Sequence, residues 1–383
     1  MSVEALVERV RDRLAAGPGE VTPERVARAL RADGDPVGDA TVLLVHEALS
    51  RDVLGAGPLE RLLRAPGVTD VLVNGADAVY VDRGRGLEPA GVTFPDEASV
   101  RRLGQRLAAA GGRRLDDASP HVDLRLPDGT RLHAVLAPVA RPGTVLSLRV
   151  PARTPLTLAD LVAGGALPVA GADLLRAVVA SRRAFLVTGG TGTGKTTLLA
   201  CLLGLVDPAE RLVIVEDSSE LRPDHPHVVG LEARPANVEG AGALDLRTLV
   251  RQSLRMRPDR VVVGEVRGGE VVELLAALNT GHEGGCGTLH ANDAAAVPAR
   301  VEALAMAAGL GREAVHSQLA AGLDLVLHVG RDRSGRRALR EVGVLRRRPD
   351  GLVEVDTAVR VADGRLVPGP GVEVLEALLE HGA

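Results

Sequence analysis

Aromatic side chains are almost missing from this sequence: Tyr80, Phe94 and Phe185 are the whole set, and there is no Trp. Cores must therefore be assembled from Val, Leu and Ala, and stacking of nucleobases on aromatic rings is excluded as a main binding mode. Cysteine is nearly as scarce. Cys201 and Cys286 are too few for a disulfide scaffold or a four-thiolate zinc site, and they fit a reducing compartment. No apolar run approaches a membrane span, and the first helical stretch alternates charge with apolar residues, unlike a signal peptide. Excess positive charge is missing as well: 46 Lys+Arg against 50 Asp+Glu leave a net −4 at pH 7, which argues against a general nucleic-acid binder. The chain is expected to be cytoplasmic, meeting any membrane only through partners.

Lysine is as scarce as tyrosine. Lys195 is the only one in the chain, so a sequence that builds its positive charge from Arg keeps a single ammonium, a compact point charge rather than a planar fork. It lies in the stretch from Ala184 to Ala200, AFLVTGGTGTGKTTLLA. Ala184 to Val187 form a short apolar run of the kind that fills a buried parallel strand. Gly189 to Thr196 match G-x-x-x-x-G-K-[ST] at every fixed position. From Thr197 the apolar spacing turns helical through Leu198, Leu199, Leu202, Leu203 and Val206. Glycines let such a loop bring backbone N–H groups to phosphate oxygens, and the helix that follows points its positive end at the same anion. The expected phosphate contacts are Gly190, Thr191, Gly192, Thr193, Gly194, Lys195, Thr196 and Thr197, with Lys195 on the β- and γ-phosphates and the Thr196 hydroxyl on Mg²⁺.

The length of 383 residues implies two or three domains. Residues 1–53 read as a helical preface with helices near 2–15, from Pro23 to Leu30 behind a Thr22 cap, and from Thr41 to Val53. Residues 54–152 read as a smaller α+β domain. It holds a hairpin around Asn74-Gly75, a helix from Ala98 to Ala110, a second hairpin around Pro127 to Thr130, and a strand from Thr144 to Val150. The Pro- and Gly-punctuated stretch 153–168 reads as a linker. Residues 169–383 alternate strand and helix, which implies an α/β fold on a largely parallel sheet, with strands near 184–188, 211–216, 261–265, 286–290 and 323–329.

Two of these strands end in acids. Leu212 to Val215 run into Glu216-Asp217, with Glu220 beyond, and Val261 to Gly264 run into Glu265, with a further strand between this one and the glycine-loop strand. Carboxylates at the carboxyl ends of parallel strands face the crevice where ligands bind, where they hold Mg²⁺ or orient water toward a γ-phosphate. Either Glu216 or Glu265 is the base. The segment Thr280 to Asp293 adds His282 and His290 among glycines, and His290, following a short strand, is placed to contact a γ-phosphate. A metal site from His282, Cys286 and His290 matches no standard spacing.

In order and spacing GGTGTGKTT, VIVEDSSEL, LRMRPDRVVVGEVRGGE and TGHEGGCGTLHAND resemble the Walker A, Asp, Walker B and His boxes of the secretion ATPase superfamily, which powers type II and type IV secretion and pilus machines. LGAGPLERLL, VTDVLVNG, DLRLPDGTRLHAVLAP and LEARPANVEG look like its tight-adherence (Flp) pilus branch, the CpaF-like, TadA-type ATPases. The paired Cys-x-x-Cys element of type II relatives is absent, which excludes that branch. The resemblance implies a RecA-like P-loop core behind a PAS-like α+β domain, in a hexameric ring that hydrolyses ATP with Mg²⁺. The ring would sit at the inner face of the cell membrane on integral-membrane platform proteins. It also implies catalytic roles for Glu216, Glu265 and His290, metal contacts from Thr196, Glu216 and Glu265, and γ-phosphate contacts from Arg131 and Arg149 of the amino-terminal domain. Arg125 is set aside on the expectation that the turn puts it on the other face of the hairpin from Arg131. A conjugation-type DNA-transfer ATPase is the alternative machine. A nucleotide-gated scaffold with little turnover and a DNA-stimulated helicase are the other classes.

Overall fold

The computed structural model describes residues 6, 10, 13, 22–32, 38, 41–45, 56–84, 86–151, 155–234, 242–331 and 335–380. The chain divides into two compact units, Met1–Arg153 and Thr154–Ala383. In the first, a helix spans Pro23–Arg31 behind Thr22, whose side chain accepts from the Arg25 N–H. Residues 6, 10, 13 and 41–45 are helical too, and Leu6, Val10, Val26, Leu30, Val42 and Val45 bury one another. The rest of the expected first and third helices lies outside the described residues.

Six antiparallel strands follow: β1 (Asp70–Asn74), β2 (Val79–Asp82), β3 (Leu87–Pro89), β4 (His121–Arg125), β5 (Arg131–Val135) and β6 (Val145–Arg149), in the order β3-β2-β1-β6-β5-β4. Strict alternation buries Leu132, Ala134, Leu146 and Leu148 and leaves Arg131, His133, Ser147 and Arg149 on the open face. The helix Glu97–Ala110, capped by Asp96, covers the buried face with Val100, Leu103 and Leu107.

Here one expectation is corrected. Arg125 and Arg131 are direct cross-strand partners, and Arg131 is in turn opposite Arg149. Directly opposed residues share a face, so the three arginines form one row on the open side of the sheet. Leu126 and Thr130 close the turn, the Leu126 N–H donating to the Thr130 carbonyl, so residues 127–129 alone separate the pair and Arg125 and Arg131 beyond it stay opposed.

The second unit is built on nine strands: β7 (Phe185–Thr188), β8 (Leu212–Glu216), β9 (Val228–Glu232), β10 (Arg260–Val266), β11 (Cys286–Leu289), β12 (Leu325–Arg331), β13 (Arg337–Arg347), β14 (Val353–Ala362) and β15 (Arg365–Pro368). Their order is β15-β14-β13-β12-β7-β11-β10-β8-β9, parallel from β12 through β9 and antiparallel beyond. β7, β8 and β11 are buried at every position, because helices cover both faces. Phe185 and Val187 face the core under helices Val169–Ala180 and Lys195–Leu203, whereas Leu186 faces the core under Leu246–Ser253, Glu270–Leu278, Val297–Ala307 and Arg312–Gly322. The strand between β7 and β10 in the sheet is β11, which comes last of the three in sequence. Within the stretch 153–168, a capping box between Thr157 and Asp160 starts the helix Leu158–Ala163, and Leu158 and Leu167 belong to this unit's core. Among the described residues no helix is long and apolar enough to cross a membrane.

The glycines before β11 answer to packing. Arg260, fully buried at the start of β10, forks onto Glu210 at 2.8 and 3.1 Å and donates to the Val179 carbonyl at 3.1 Å. Gly284, at φ +70°, leaves room for that guanidinium: a Cβ there would stand 2.7 Å from Arg260 Nη1. Gly284→Ala is expected to lower unfolding free energy by about 2 kcal/mol, combining left-handed strain with displacement of a buried ion pair. Urea denaturation at neutral pH checks it.

Candidate functional site

The loop after β7 is shaped by glycines at positive φ: Gly189 (+149°), Gly192 (+69°) and Gly194 (+97°). At Gly189 a Cβ would collide with the Val329 carbonyl and sit 2.8 Å from Thr193 Oγ1, so only glycine lets the chain leave the sheet here. Gly194 caps the helix Lys195–Leu203 without any side-chain hydrogen bond, which leaves the first-turn N–H groups, including those of Thr196 and Thr197, available to an anion. Thr193 Oγ1 donates to the Gly190 carbonyl at 2.9 Å and ties the loop across itself. The Lys195 ammonium is buried and donates to the carbonyls of Gly189 (3.1 Å) and Gly190 (3.0 Å). Burial depresses its pKa, Glu265 opposes that shift and Arg267 adds to it. A cradle that excludes Cβ atoms, an uncapped helix start and one buried ammonium fit a polyphosphate.

Glu265 comes from β10, two strands away from β7. Register against β11 slips between Val263 and Val266, so that one extra β10 residue is taken up around Gly264-Glu265. Thr288 Oγ1 fastens the slip by donating to the Gly264 carbonyl at 2.6 Å. Such a bulge re-aims side chains. One Glu265 oxygen lies 2.8 Å from His290 Nε2, and the other accepts from the Arg267 guanidinium. Lys195 Nζ is 3.4 Å from the same imidazole nitrogen. Burial, then the charge of Lys195, push the His290 pKa down, so the ring is neutral and its Nε2–H donates to Glu265. Lys195, His290, Glu265 and Arg267 thus form one continuous cluster beside the loop.

Glu216 ends β8, the strand paired with β10, and is oriented differently. Its Oε1 accepts from the N–H groups of Glu220 (3.0 Å) and Leu221 (2.9 Å), and its Cγ packs where a Cβ on Gly264 would stand. Burial pushes its carboxyl up to about 7, against the pull of those two N–H groups, and Glu220 and Glu232 push in the same direction as burial.

Arg131 and Arg149 lie on the open sheet face of the first unit, where Arg131 forks onto Asp123 at 3.1 and 2.8 Å. His282 Nδ1 is 3.3 Å from the Ala277 carbonyl, at the start of the segment leading to β11. Cys286 is sealed in β11, its thiol pushed up to about 12 by burial. Among the described residues no three His, Cys, Asp or Glu side chains converge on a metal position. Sequence reasoning missed Arg267, whose partners are set by tertiary packing. It also missed His328 of β12, whose Nδ1 meets the Thr188 hydroxyl at 3.0 Å at the root of the loop.

Fold and loop together define an α/β protein of the P-loop class. Residues 52–336 match the profile of the type II/IV secretion system protein family, and the chain belongs to that family. A putative conjugal transfer protein of Mycobacterium tuberculosis is 58% identical over 327 residues, covering 84% of this chain and 93% of the relative. The conjugal transfer protein TrbB of Rhizobium radiobacter is 32% identical over 280 residues, 72% of this chain and 83% of TrbB. Among solved structures, the Legionella pneumophila ATPase DotB aligns with a TM-score of 0.54 at 20% identity, over 77% of this chain and 80% of DotB, which is a likeness of fold.

Proposed function

We propose that this protein is a Mg²⁺-dependent ATPase that drives a conjugation-type secretion apparatus from the inner face of the cell membrane, as a hexameric ring docked on integral-membrane platform proteins. The observation that carries the chemistry is the cluster beside the loop, where the imidazole of His290 lies 2.8 Å from the strand-end carboxylate of Glu265 and 3.4 Å from the ammonium of the chain's single lysine. Names of relatives at 58% and 32% identity support the conjugal-transfer machine. The tight-adherence pilus reading rests on sequence segments alone and stands second. The first unit's strand order, with the opening hairpin beside the last strand, supports the PAS-like reading of that domain.

In this proposal the loop N–H groups and Lys195 hold the β- and γ-phosphates. Thr196, Glu216 and Glu265 are the side chains that would hold Mg²⁺, which would supply positive charge to the phosphates. Glu265 orients the attacking water once its carboxylate leaves Arg267. His290, hydrogen-bonded to Glu265 and standing beside Lys195, reports the γ-phosphate to the acid. The roles of Arg131 and Arg149 of the first unit in neutralising charge on the transferred group rest on the resemblance alone.

Phosphate release by the purified chain tests the reading: steady turnover of ATP that stops when magnesium is chelated is expected. A protein that binds ATP but releases nothing is the nucleotide-gated scaffold instead, and stimulation by DNA with steep salt dependence would mark a helicase.

A further inference from the structure

The glycine loop has two flanks. On the β11–β10 side stand His290 and Glu265, and on the other side β12 pairs directly with β7. β12 ends in Arg331 and β13 begins with Arg337, and the two are direct cross-strand partners. Arg331 donates to the Gly335 carbonyl at 2.8 Å and reaches the carbonyl of Gly192, in the loop itself, at 3.4 Å. The Arg337 stem passes Gly194, with its Cδ 3.7 Å from where a Cβ on that glycine would stand. Among the described residues no carboxylate pairs with either guanidinium. Like charges directly opposed across a pair of strands destabilise a sheet unless an anion lies between them. A bare arginine pair beside a polyphosphate cradle is therefore unexplained by the fold alone.

We propose that Arg331 and Arg337 form a second cationic rim of the nucleotide site and bind the nucleoside-linked end of the polyphosphate. The inference rests on the ATPase reading above and deepens it. The γ end faces Glu265 and His290, so the chain of phosphates, crossing the loop, leaves toward β12, where the two guanidinium groups stand. Groups that hold this end contact substrate and product alike, so they strengthen binding uniformly and leave the chemical step unaltered.

The test is titration of purified full-length protein with ADP, and ATPase kinetics, for wild type, Arg337→Ala, Arg337→Lys and Arg331→Ala. Each alanine variant is expected to weaken ADP binding and raise KM for ATP by about tenfold, the scale of one charge-assisted hydrogen bond, with kcat within twofold of wild type. Arg337→Lys recovers part of the loss by keeping the charge. Without nucleotide the alanine variants melt at or above the wild-type temperature, because a like-charge pair is relieved. That readout separates lost binding from lost folding. ADP affinity within twofold of wild type in Arg337→Ala overturns the inference, as does a loss confined to kcat. A wild type that binds ADP yet hydrolyses nothing sinks the ATPase reading while leaving the arginine comparison decisive. One that binds no ADP removes both.

Discussion

Glu265→Gln is expected to lower kcat for ATP hydrolysis by about 10²–10⁴-fold, the range for losing a positioned general base, while ADP affinity stays close to that of wild type. Glutamine keeps the size of the side chain and a carbonyl oxygen able to accept from His290 Nε2–H, so the hydrogen bond at 2.8 Å survives. What disappears is the negative charge and the ability to take a proton from water. Ground-state binding of the phosphates resides in the loop N–H groups and Lys195, and Glu265 touches Lys195 only through its charge. The same substitution at Glu216, the other strand-end acid, is measured beside it. At neutral pH the Glu216 carboxyl, with its pKa near 7, is already protonated about half of the time. Without nucleotide and cation its amide version therefore resembles a form the wild type visits constantly, and any loss of turnover reports its role once they are bound. Phosphate release at saturating ATP, measured beside ADP titration, separates the two. A Glu265→Gln enzyme that keeps more than a tenth of wild-type turnover would remove Glu265 from the role of base, and a loss in Glu216→Gln alone would transfer that role to the neighbouring strand.

The contrast between those acids was not legible in the sequence, although their positions were. Both are carboxylates at the ends of apolar strands, and the pattern that places them there is local. The glycine loop is more local still: strand, turn, lysine and helix fall within the seventeen residues from Ala184 to Ala200, and each is dictated by its immediate neighbours. The aim of Glu265, by contrast, depends on a register slip against β11, a strand that follows it in the chain and separates it from β7. The hydrogen bonds that turn Glu216 toward Glu220 and Leu221 depend on the course of the chain after β8. Arg125 was misplaced for a related reason: counting residues round a turn does not give facing unless the closing pair is known, and that pair is Leu126 with Thr130. The run Gly284-Gly285 read only as glycine-rich sequence between His282 and His290. In the structure Gly284 makes room for a buried arginine, and a Cβ on Gly285 would stand 2.5 Å from Leu278 Cδ2. The helix Leu158–Ala163 escaped notice because it is six residues long between prolines and glycines, too short for periodicity to register. β13 to β15 mix exposed and half-buried positions, which blurs the alternation a strand is read from.

Glu216 also makes the protein's stability depend on pH in a direction opposite to most carboxylates. Its folded-state pKa, about 7, lies above the ordinary 4.5, because burial outweighs the two N–H groups it accepts from. The folded form therefore holds this proton more tightly than the unfolded form does. The contribution is fully present below 4.5 and is lost as pH rises through 7. At roughly 1.4 kcal/mol for each pKa unit, the loss across that window is about 3 kcal/mol. Glu216→Gln carries no charge to desolvate and still accepts through its amide oxygen. It is expected to exceed wild type in unfolding free energy by about 3 kcal/mol at roughly pH 8, with the gap closing toward pH 4.5. Urea denaturation of both proteins across that range gives the comparison. A gap that does not change with pH would mean the carboxylate is not desolvated by the fold. A gap of the opposite sign would mean its ionised form is favoured by groups stronger than Glu220 and Leu221. Binding at the loop should act on the same group from the other side. A divalent cation near Glu216 favours the ionised form, so Mg²⁺ with ADP is expected to stabilise wild type more as pH rises from about 6 to 8, and to do so less steeply in Glu216→Gln. The pH dependence of nucleotide stabilisation therefore tests the metal role of Glu216 independently of turnover.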